Sequence, residues 1–166
     1  TYPGATAPFG AVQLSPDTRV GNWDACAGYH YNDTTLRGFS HTHLSGTGCI
    51  DLGDILFRPT TQEPSFTNEF FYSPANFSHQ DEMASAGYYS VLLKDEGIKA
   101  ELTATPHVGM HRYTYLTGNL AAVIVDMAHS LDNEYIYEAE LEKTADNEIT
   151  GMRRTRGWTD LSLIHI

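Results

Sequence analysis

The side chains that could do chemistry are concentrated in residues 22–54. His41 and His43 lie one residue apart, and alternate residues of a strand point to the same face. Two imidazoles and a carboxylate are common ligands of zinc and copper, and Asp51 or Asp54 could supply the carboxylate. The spacing therefore allows a transition-metal site. The serines and threonines around the pair could equally bond both imidazoles as part of ordinary packing.

The same segment contains weaker nucleophile patterns. Ser45 in LSGTG lacks the first glycine and the strand–turn–helix context of a G-x-S-x-G elbow. Cys49 with His41 or His43 could form a thiol–imidazole pair. The glycine-rich run 45–48 exposes backbone N–H groups of the kind that bind phosphate, but no lysine follows it. These patterns are alternatives to the metal site rather than strong predictions.

An aromatic and acidic cluster is the other candidate. Trp23 stands next to Asp24, with Tyr29, His30 and Tyr31 a few residues later. A flat aromatic face beside hydrogen-bonding groups suits a sugar ring, whose C–H face stacks while its hydroxyls bond to the polar side chains. The alternative is that Trp23 only anchors its own loop.

The composition excludes several classes of function. The chain has 166 residues, with 21 acidic against 10 basic side chains and a net charge of −11, so no nucleic-acid-binding or anionic-membrane-binding face is expected. No apolar run approaches the roughly 20 residues of a membrane-spanning helix. Abundant tyrosine and small polar residues favour a β-rich protein with long loops. Cys26 and Cys49 are too few for a disulfide framework, and the sequence leaves their pairing open.

Turn residues recur along the chain without helix punctuation, which favours a β-sandwich or barrel. The apolar run at residues 120–127 predicts a central strand buried on both faces. Residues 133–144 fit a helix or a strand, and we favour the strand; residues 63–85 predict a long ordered loop. The remaining strands are predicted at 11–14, 36–39, 54–58, 87–94, 98–104, 108–115 and 148–155.

Long motifs arrive in a fixed order: PGATAPFG, LSPDTR, WDACAGYHY, GFSHTHLSGTG and GIKAELTAT. With them, the chain from Thr1 to about Asp160 resembles the N-terminal part of glycoside hydrolase family 92. The resemblance implies an all-β fold, the N-terminal β-sandwich (super-sandwich) domain of a two-domain glycosidase, over residues 1–160 and incomplete at both ends, with the (α/α)₆ barrel domain missing. Residues 161–166 match a translated sequencing adapter, and we expect them to be a non-biological tail.

The resemblance also implies an activity. Family 92 enzymes are inverting, calcium-dependent α-mannosidases that hydrolyse terminal α-mannosyl linkages of glycans, mostly secreted or periplasmic in bacteria. Their general acid, general base and main calcium ligands come from the C-terminal barrel. We therefore expect no catalytic and no metal-ligating residue in this chain and no activity of the chain alone. Its expected partners are mannose-containing glycans and the missing barrel domain.

The motifs place five substrate-binding candidates. The resemblance puts Trp23 in the cleft, against the leaving sugar, and Asp24 follows it. It puts Arg19, His41 and His43 near the interface with the barrel, where they either contact substrate or hold the two domains together. The rival interpretation is a stand-alone carbohydrate-binding or adhesion module with its own surface site.

Overall fold

The computed structural model describes residues 2–44, 48–63, 73–118, 120–132, 134–158 and 162–166. Within these residues the regular elements are β-strands and two single turns of 3₁₀ helix, at Trp23–Ala25 and His79–Asp81. The all-β prediction is confirmed. The strands are β1 (Ala5–Thr6), β2 (Gln13–Asp17), β3 (Thr35–Leu36), β4 (Gly38–Ser40), β5 (Leu56–Thr60), β6 (Ala75–Asn76), β7 (Glu82–Ser85), β8 (Tyr88–Leu93), β9 (Ile98–Ala104), β10 (Gly109–Tyr115), β11 (Ala122–Asp126), β12 (Tyr135–Ala145), β13 (Glu148–Arg156) and β14 (Ser162–His165).

Two antiparallel sheets pack against each other. One has the strand order β1-β2-β4-β5-β11 and the other β10-β9-β8-β7. Smaller sheets are formed by β3 with β6 and by β12, β13 and β14. The core lies between the two large sheets, as expected of a sandwich. Its buried side chains include Leu14, Leu36, Phe39, Phe77, Tyr89, Val91, Leu93, Ile98, Ala100 and Leu102.

The β8–β9 hairpin follows directly from the sequence. Alternation in IKAELTA buries Ile98, Ala100 and Leu102 and exposes Lys99, as half-buried strands require. Gly97 in the preceding turn has φ +60°, a conformation that glycine adopts without steric cost. The predicted strand 98–104 is confirmed to the residue.

The prediction of a central strand at residues 120–127 is wrong. The strand β11 lies at the edge of the five-stranded sheet, where within the described residues it pairs with β5 alone. Val123 is exposed on it. An apolar run shows that side chains favour burial, but it does not show which neighbouring strands are present to cover them.

The prediction of one long loop at residues 63–85 is wrong in part. This segment contains β6, the 3₁₀ turn His79–Asp81 and the edge strand β7. On β7, the last three residues are all exposed, so the strand lacks the alternation by which strands are recognised. Residues 64–72 of the predicted loop lie outside the described residues.

The ambiguous segment 133–144 forms a strand, as favoured. It is β12, which pairs with β13 in a long hairpin. The expected tail contributes β14, whose Ile164 lies opposite Arg153 of β13; this pairing does not test the origin of residues 161–166. Cys26 and Cys49, both among the described residues, are not joined by a disulfide.

Candidate functional site

Trp23 and Asp24 lie in the 3₁₀ turn Trp23–Ala25. Asn22 caps this turn, because its side-chain oxygen accepts a hydrogen bond of 2.9 Å from the backbone N–H of Asp24, the usual role of asparagine before a helical turn. The turn leaves Trp23 70% exposed. A loop-packing anchor would be largely buried, so this indole is available to stack on a ligand.

A cleft of about 590 Å³ opens beside this turn. Aromatic rings and hydrogen-bonding groups line it together, as expected of a site for a small polar ligand. Asp24 brings a carboxylate to it, and Tyr31 brings a ring that is 68% exposed. The lining residues are Tyr2, Pro3, Asp24, Tyr29, His30, Tyr31 and Asn32.

Arg19 is paired within the chain to Asp33. Its Nε lies 2.9 and 2.8 Å from the two carboxylate oxygens, and its Nη2 lies 2.6 Å from Oδ1. These bonds raise the pKa of Arg19. Burial alone would raise the pKa of Asp33, but the bonds from Arg19 outweigh it and lower that pKa. Residues 29–32 form one wall of the cleft. Because Asp33 directly follows them, the Arg19–Asp33 pair fixes the end of this cleft wall.

His41 connects the two large sheets. Its Nδ1 lies 2.9 Å from the carbonyl oxygen of Ile55 and donates to it, which leaves Nε2 as an acceptor. Nε2 of His111, on β10, lies 3.1 Å from that atom, and Nδ1 of His111 lies 2.7 Å from the Tyr113 hydroxyl. Burial lowers the pKa of His41 and lowers that of His111 to about 3. Both rings are therefore neutral at neutral pH and form a continuous hydrogen-bonded chain.

His43 is fully buried beneath the five-stranded sheet. Its Nδ1 lies 2.7 Å from the carbonyl oxygen of Gln13 and its Nε2 lies 2.8 Å from Oδ1 of Asp17. His129 approaches the other oxygen of Asp17 at 2.9 Å. Burial alone would raise the pKa of Asp17, but the two histidines outweigh it and hold that pKa well below its usual range. Of the two roles considered for His43, this geometry favours packing over contact with a ligand.

The two histidines of the H-x-H pair have separate partners, so they do not form one ligand position. Within the described part of the chain, no group of three or more His, Cys, Asp or Glu side chains is arranged to hold a metal ion. The described residues likewise offer no cluster of carboxylates that is arranged for a calcium ion. Ser45, the candidate nucleophile of LSGTG, lies outside the described residues.

Asp51 and Asp54 belong to a buried charged cluster. The backbone N–H of Leu52 donates to Glu134 at 2.8 Å, and Arg153 lies 3.2 Å from Glu134 and 3.5 Å from Asp54. Burial, together with a hydrogen bond to Asp51 and the charge of Asp54, raises the pKa of Glu134 to about 8. A protonated Glu134 therefore bonds the Asp51 carboxylate at neutral pH. The cluster ties the loop before β5 to the β12–β13 hairpin.

Two further carboxylates are also held by neighbouring side chains. Glu101 accepts hydrogen bonds of 2.7 Å from both Arg112 and Tyr88, and these bonds, with Arg112 first, lower its pKa to about 2. Glu96 is buried in the β8–β9 turn, where the backbone N–H of Thr61 donates to it at 2.9 Å. Neither carboxylate lines the cleft beside Trp23.

Sequence reasoning missed the pair that supports the cleft wall. Glu82 receives a hydrogen bond of 3.0 Å from the Tyr29 hydroxyl, and the ring of His79 stacks on Tyr31. The weak patterning of residues 63–85 gave no signal for either residue. His111 is different, because period-2 alternation along β10 places it on the buried face with Tyr113.

Comparison with known families decides the assignment of the fold. The glycosyl hydrolase family 92 N-terminal domain matches residues 1–164. The chain belongs to glycosyl hydrolase family 92. The resemblance seen in the ordered motifs is thereby confirmed, and the sandwich described above is the N-terminal domain of that family.

Solved relatives of this family 92 domain are α-mannosidases and glycosyl hydrolases. The α-mannosidase BT3965 from Bacteroides thetaiotaomicron, solved in complex with mannoimidazole, is 42% identical over 99% of this chain and 22% of its own, with a TM-score of 0.91. The family 92 hydrolase ccman5 is 27% identical over 99% of this chain and 23% of its own, with a TM-score of 0.77.

A curated relative is also matched over only part of its own length. The uncharacterized secreted glycosidase of Arthroderma benhamiae is 26% identical over 143 residues, which are 80% of this chain and 18% of that protein. The chain thus spans about a fifth of the length of the relatives it matches.

Proposed function

We propose that this family 92 domain forms the leaving-sugar side of the active-site cleft in an inverting, calcium-dependent α-mannosidase that removes terminal α-mannosyl residues from glycans. The observation that carries the proposal is the exposed Trp23, next in the chain to Asp24, which lines an aromatic and polar cleft; Trp23 stands at the edge of this cleft and is not one of its lining residues. It occurs in a domain that is 42% identical to a solved α-mannosidase.

In this role the chain binds and orients the substrate. Trp23 stacks on the leaving sugar, and Asp24 accepts hydrogen bonds from its hydroxyls. Arg19 and Asp33 keep the wall in place. His41 and His43 act through packing, His41 by joining the sheets and His43 by its bonds to Gln13 and Asp17.

The two catalytic carboxyl groups come from the remainder of the enzyme. Inverting hydrolysis needs two carboxyl groups about 6.5–9.5 Å apart on opposite sides of the scissile bond. Asp51, Asp54 and Glu134 lie close together, but they are nearly buried and are bonded to one another or to Arg153. Calcium is likewise assigned to the remainder of the enzyme, as the family resemblance implies; among the described residues of this chain, no group of three or more His, Cys, Asp or Glu side chains is arranged to hold a metal ion.

We assign the enzyme to the secreted, periplasmic or cell-surface proteins of a bacterium, on the strength of the family resemblance. The Arthroderma relative is named a secreted glycosidase. Among the described residues, no helix has the length and apolar character to cross a membrane.

A hybrid enzyme tests the proposal. The chain replaces the matching segment of BT3965, and hydrolysis of an α-linked mannobiose is measured with calcium present. The hybrid should turn over, whereas the isolated chain should not cleave an aryl α-mannoside. Trp23→Ala in the hybrid should lower kcat/KM about three- to tenfold, because one aromatic contact with the leaving sugar is lost.

The matched control for Trp23→Ala is Trp158→Ala, since Trp158 is comparably exposed and lines a pocket that shares no residue with the cleft beside Trp23. It should leave kcat/KM unchanged. An unchanged kcat/KM in Trp23→Ala removes Trp23 from the site, and clear turnover by the isolated chain contradicts the assignment of both carboxyl groups to the rest of the enzyme.

The second candidate is a self-contained carbohydrate-binding or adhesion module. It is favoured by one observation, that the cleft beside Trp23 is formed by residues of this chain. Calorimetric titration of the isolated chain with mannose or mannan separates the two functions. Strong binding together with an inert hybrid favours the module, whereas weak binding and an active hybrid favour the mannosidase.

A further inference from the structure

The exposed ring of Tyr31 rests on a second ring from a distant part of the chain. His79 stacks on it with ring centroids 4.2 Å apart and planes 6° from parallel. The imidazole Nε2 also donates a hydrogen bond to the backbone carbonyl of Tyr31. Tyr31 lines the cleft and His79 does not, so protein covers one face of the tyrosine ring while its remaining surface is open to the cleft.

Glu82 holds His79 in this position. The imidazole Nδ1 lies 2.5 Å from Oε2 of Glu82, whose side chain is almost buried. Both partners of the imidazole, a carboxylate and a backbone carbonyl, are hydrogen-bond acceptors. Phe77 packs edge-on against the same imidazole, and the ring is fixed on several sides.

Glu82 also fixes a second residue of the cleft wall. The Tyr29 hydroxyl lies 3.0 Å from both of its carboxylate oxygens, and the Tyr89 hydroxyl donates to it at 2.7 Å. Burial and the charge of Glu82 raise the pKa of Tyr29, which keeps this hydroxyl a donor. The two side chains on either side of His30 in the wall are therefore tied to one support.

The wall segment has no regular strand of its own, yet it is fixed along its length. The Arg19–Asp33 pair closes its end, and the backbone N–H of His30 donates to the Thr18 hydroxyl at 2.8 Å. An aromatic surface that is already immobile binds a ligand without a further loss of side-chain entropy. These hydrogen bonds and ring contacts fall mainly on residues that line the cleft. A loop that only connects two strands does not need its side chains to be held in this way.

We propose that His79 and Glu82 are positioning residues that present Tyr31 to the cleft as a flat stacking surface for the apolar face of a hexopyranose ring. This inference rests on the proposed function, which names a mannoside as the sugar. The pair acts through Tyr31 and Tyr29 and does not itself touch the sugar.

Saturation-transfer NMR of the 166-residue chain with methyl α-mannoside, titrated to high millimolar concentration, tests the stacking surface. Tyr31→Phe keeps the ring and should preserve the transfer from that ring to the sugar protons. Tyr31→Ala removes the ring and should abolish it. Absence of transfer in the unaltered chain, or equal transfer in Tyr31→Ala, overturns the proposal.

The same titration tests the positioning pair. His79→Phe keeps a ring that can stack but removes both hydrogen bonds, and should weaken the affinity about three- to tenfold. His107→Phe is the matched control, because His107 is exposed in the turn before β10; its affinity should equal that of the unaltered chain. An unchanged affinity in His79→Phe overturns the positioning role. If that variant does not fold, Glu82→Gln replaces it, with the same expected loss.

The hybrid enzyme distinguishes this proposal from the proposed function. A hybrid that cleaves mannobiose while the chain shows no contact through Tyr31 overturns the stacking surface alone. A chain that binds the mannoside through Tyr31, combined with an inert hybrid, overturns the proposed function and supports the stacking surface.

Discussion

Replacing Asp17 with asparagine should destabilise the whole domain, because this carboxylate accepts hydrogen bonds from two buried imidazoles. Its oxygens lie 2.8 Å from His43 Nε2 and 2.9 Å from His129 Nε2. Asparagine has a single side-chain oxygen, so its amide nitrogen must face one of the two N–H groups. The side chains of all three residues are at most 3% exposed, and water cannot replace the lost bond.

The size of the effect follows from the geometry of this group. Removing one partner of a buried ion pair costs about 3–5 kcal/mol. One of the two hydrogen bonds survives in Asp17→Asn, so we expect about 3 kcal/mol, the lower end of that range. A typical domain has a free energy of unfolding of about 5–15 kcal/mol. The variant should therefore fold in buffer but unfold at a clearly lower urea concentration.

Urea denaturation at pH 7, followed by far-ultraviolet circular dichroism, measures this loss. The control is Asp146→Asn, because Asp146 is fully exposed and its ion pair with Lys143 spans 3.5 Å; such surface pairs are worth about 1 kcal/mol or less. A loss below about 1 kcal/mol in Asp17→Asn, or the same loss in both variants, would refute the reasoning.

The pH dependence gives an independent check on Asp17. Its pKa in the folded chain lies below the ordinary value of 3.8. The stability that it contributes is therefore present above that pH and is lost as the pH falls further. The free energy of unfolding of Asp17→Asn should therefore fall less steeply with decreasing pH in the acid range. A fall identical to that of the unaltered chain would contradict the assignment.

Glu134→Gln should reduce the loss of stability toward alkaline pH. The pKa of Glu134 is about 8, above the ordinary 4.5, so the unaltered chain loses stability as the pH rises from 4.5 to about 8. Urea midpoints measured across that range should fall less in the variant, and an equal fall in both proteins would contradict the assignment. His111→Phe should reduce the loss on acidification, because a folded pKa of about 3 against the ordinary 6.5 gives stability that is present above pH 6.5 and lost toward pH 3; equal losses in both proteins would contradict this. Gly28→Ala should cost more than about 2 kcal/mol, because this glycine has φ +80° and an added Cβ would lie 2.3 Å from Asp17 Oδ1. Gly21→Ala, at φ +65° in open space, should cost only the left-handed backbone penalty of about 1–2 kcal/mol, and equal costs at the two glycines would rule out the clash.

The strands that the sequence predicts well are those whose own residues show a clear alternation of apolar and polar side chains. Ile98–Ala104 alternates cleanly and follows a turn glycine, and it forms β9 with those bounds. The run at residues 120–127 carries no information about its neighbours, and its strand lies at a sheet edge. Residues 133–144 alternated enough to favour the strand that they form.

The candidate site divides in the same way. The motif around Trp23 could be found from the sequence, and alternation alone places His111 on a buried face. The sequence does not show that His111 meets His41, a residue 70 positions away. Nor does it show that Glu82 reaches Tyr29, 53 positions away. Long-range pairs of this kind are set by how the sheets pack, not by local pattern.

The bond between Asp17 and His129 joins residues 112 positions apart. A newly made chain cannot form it until the segment around His129 has been synthesised, and until then the Asp17 carboxylate has at most one of its two imidazole partners. Closing such a long loop costs conformational entropy before any stabilising contact has formed. Topologies dominated by contacts between distant residues therefore fold slowly. The domain should therefore complete its fold only after the segment around His129 has reached Asp17, because only then does the buried carboxylate have both of its imidazole partners.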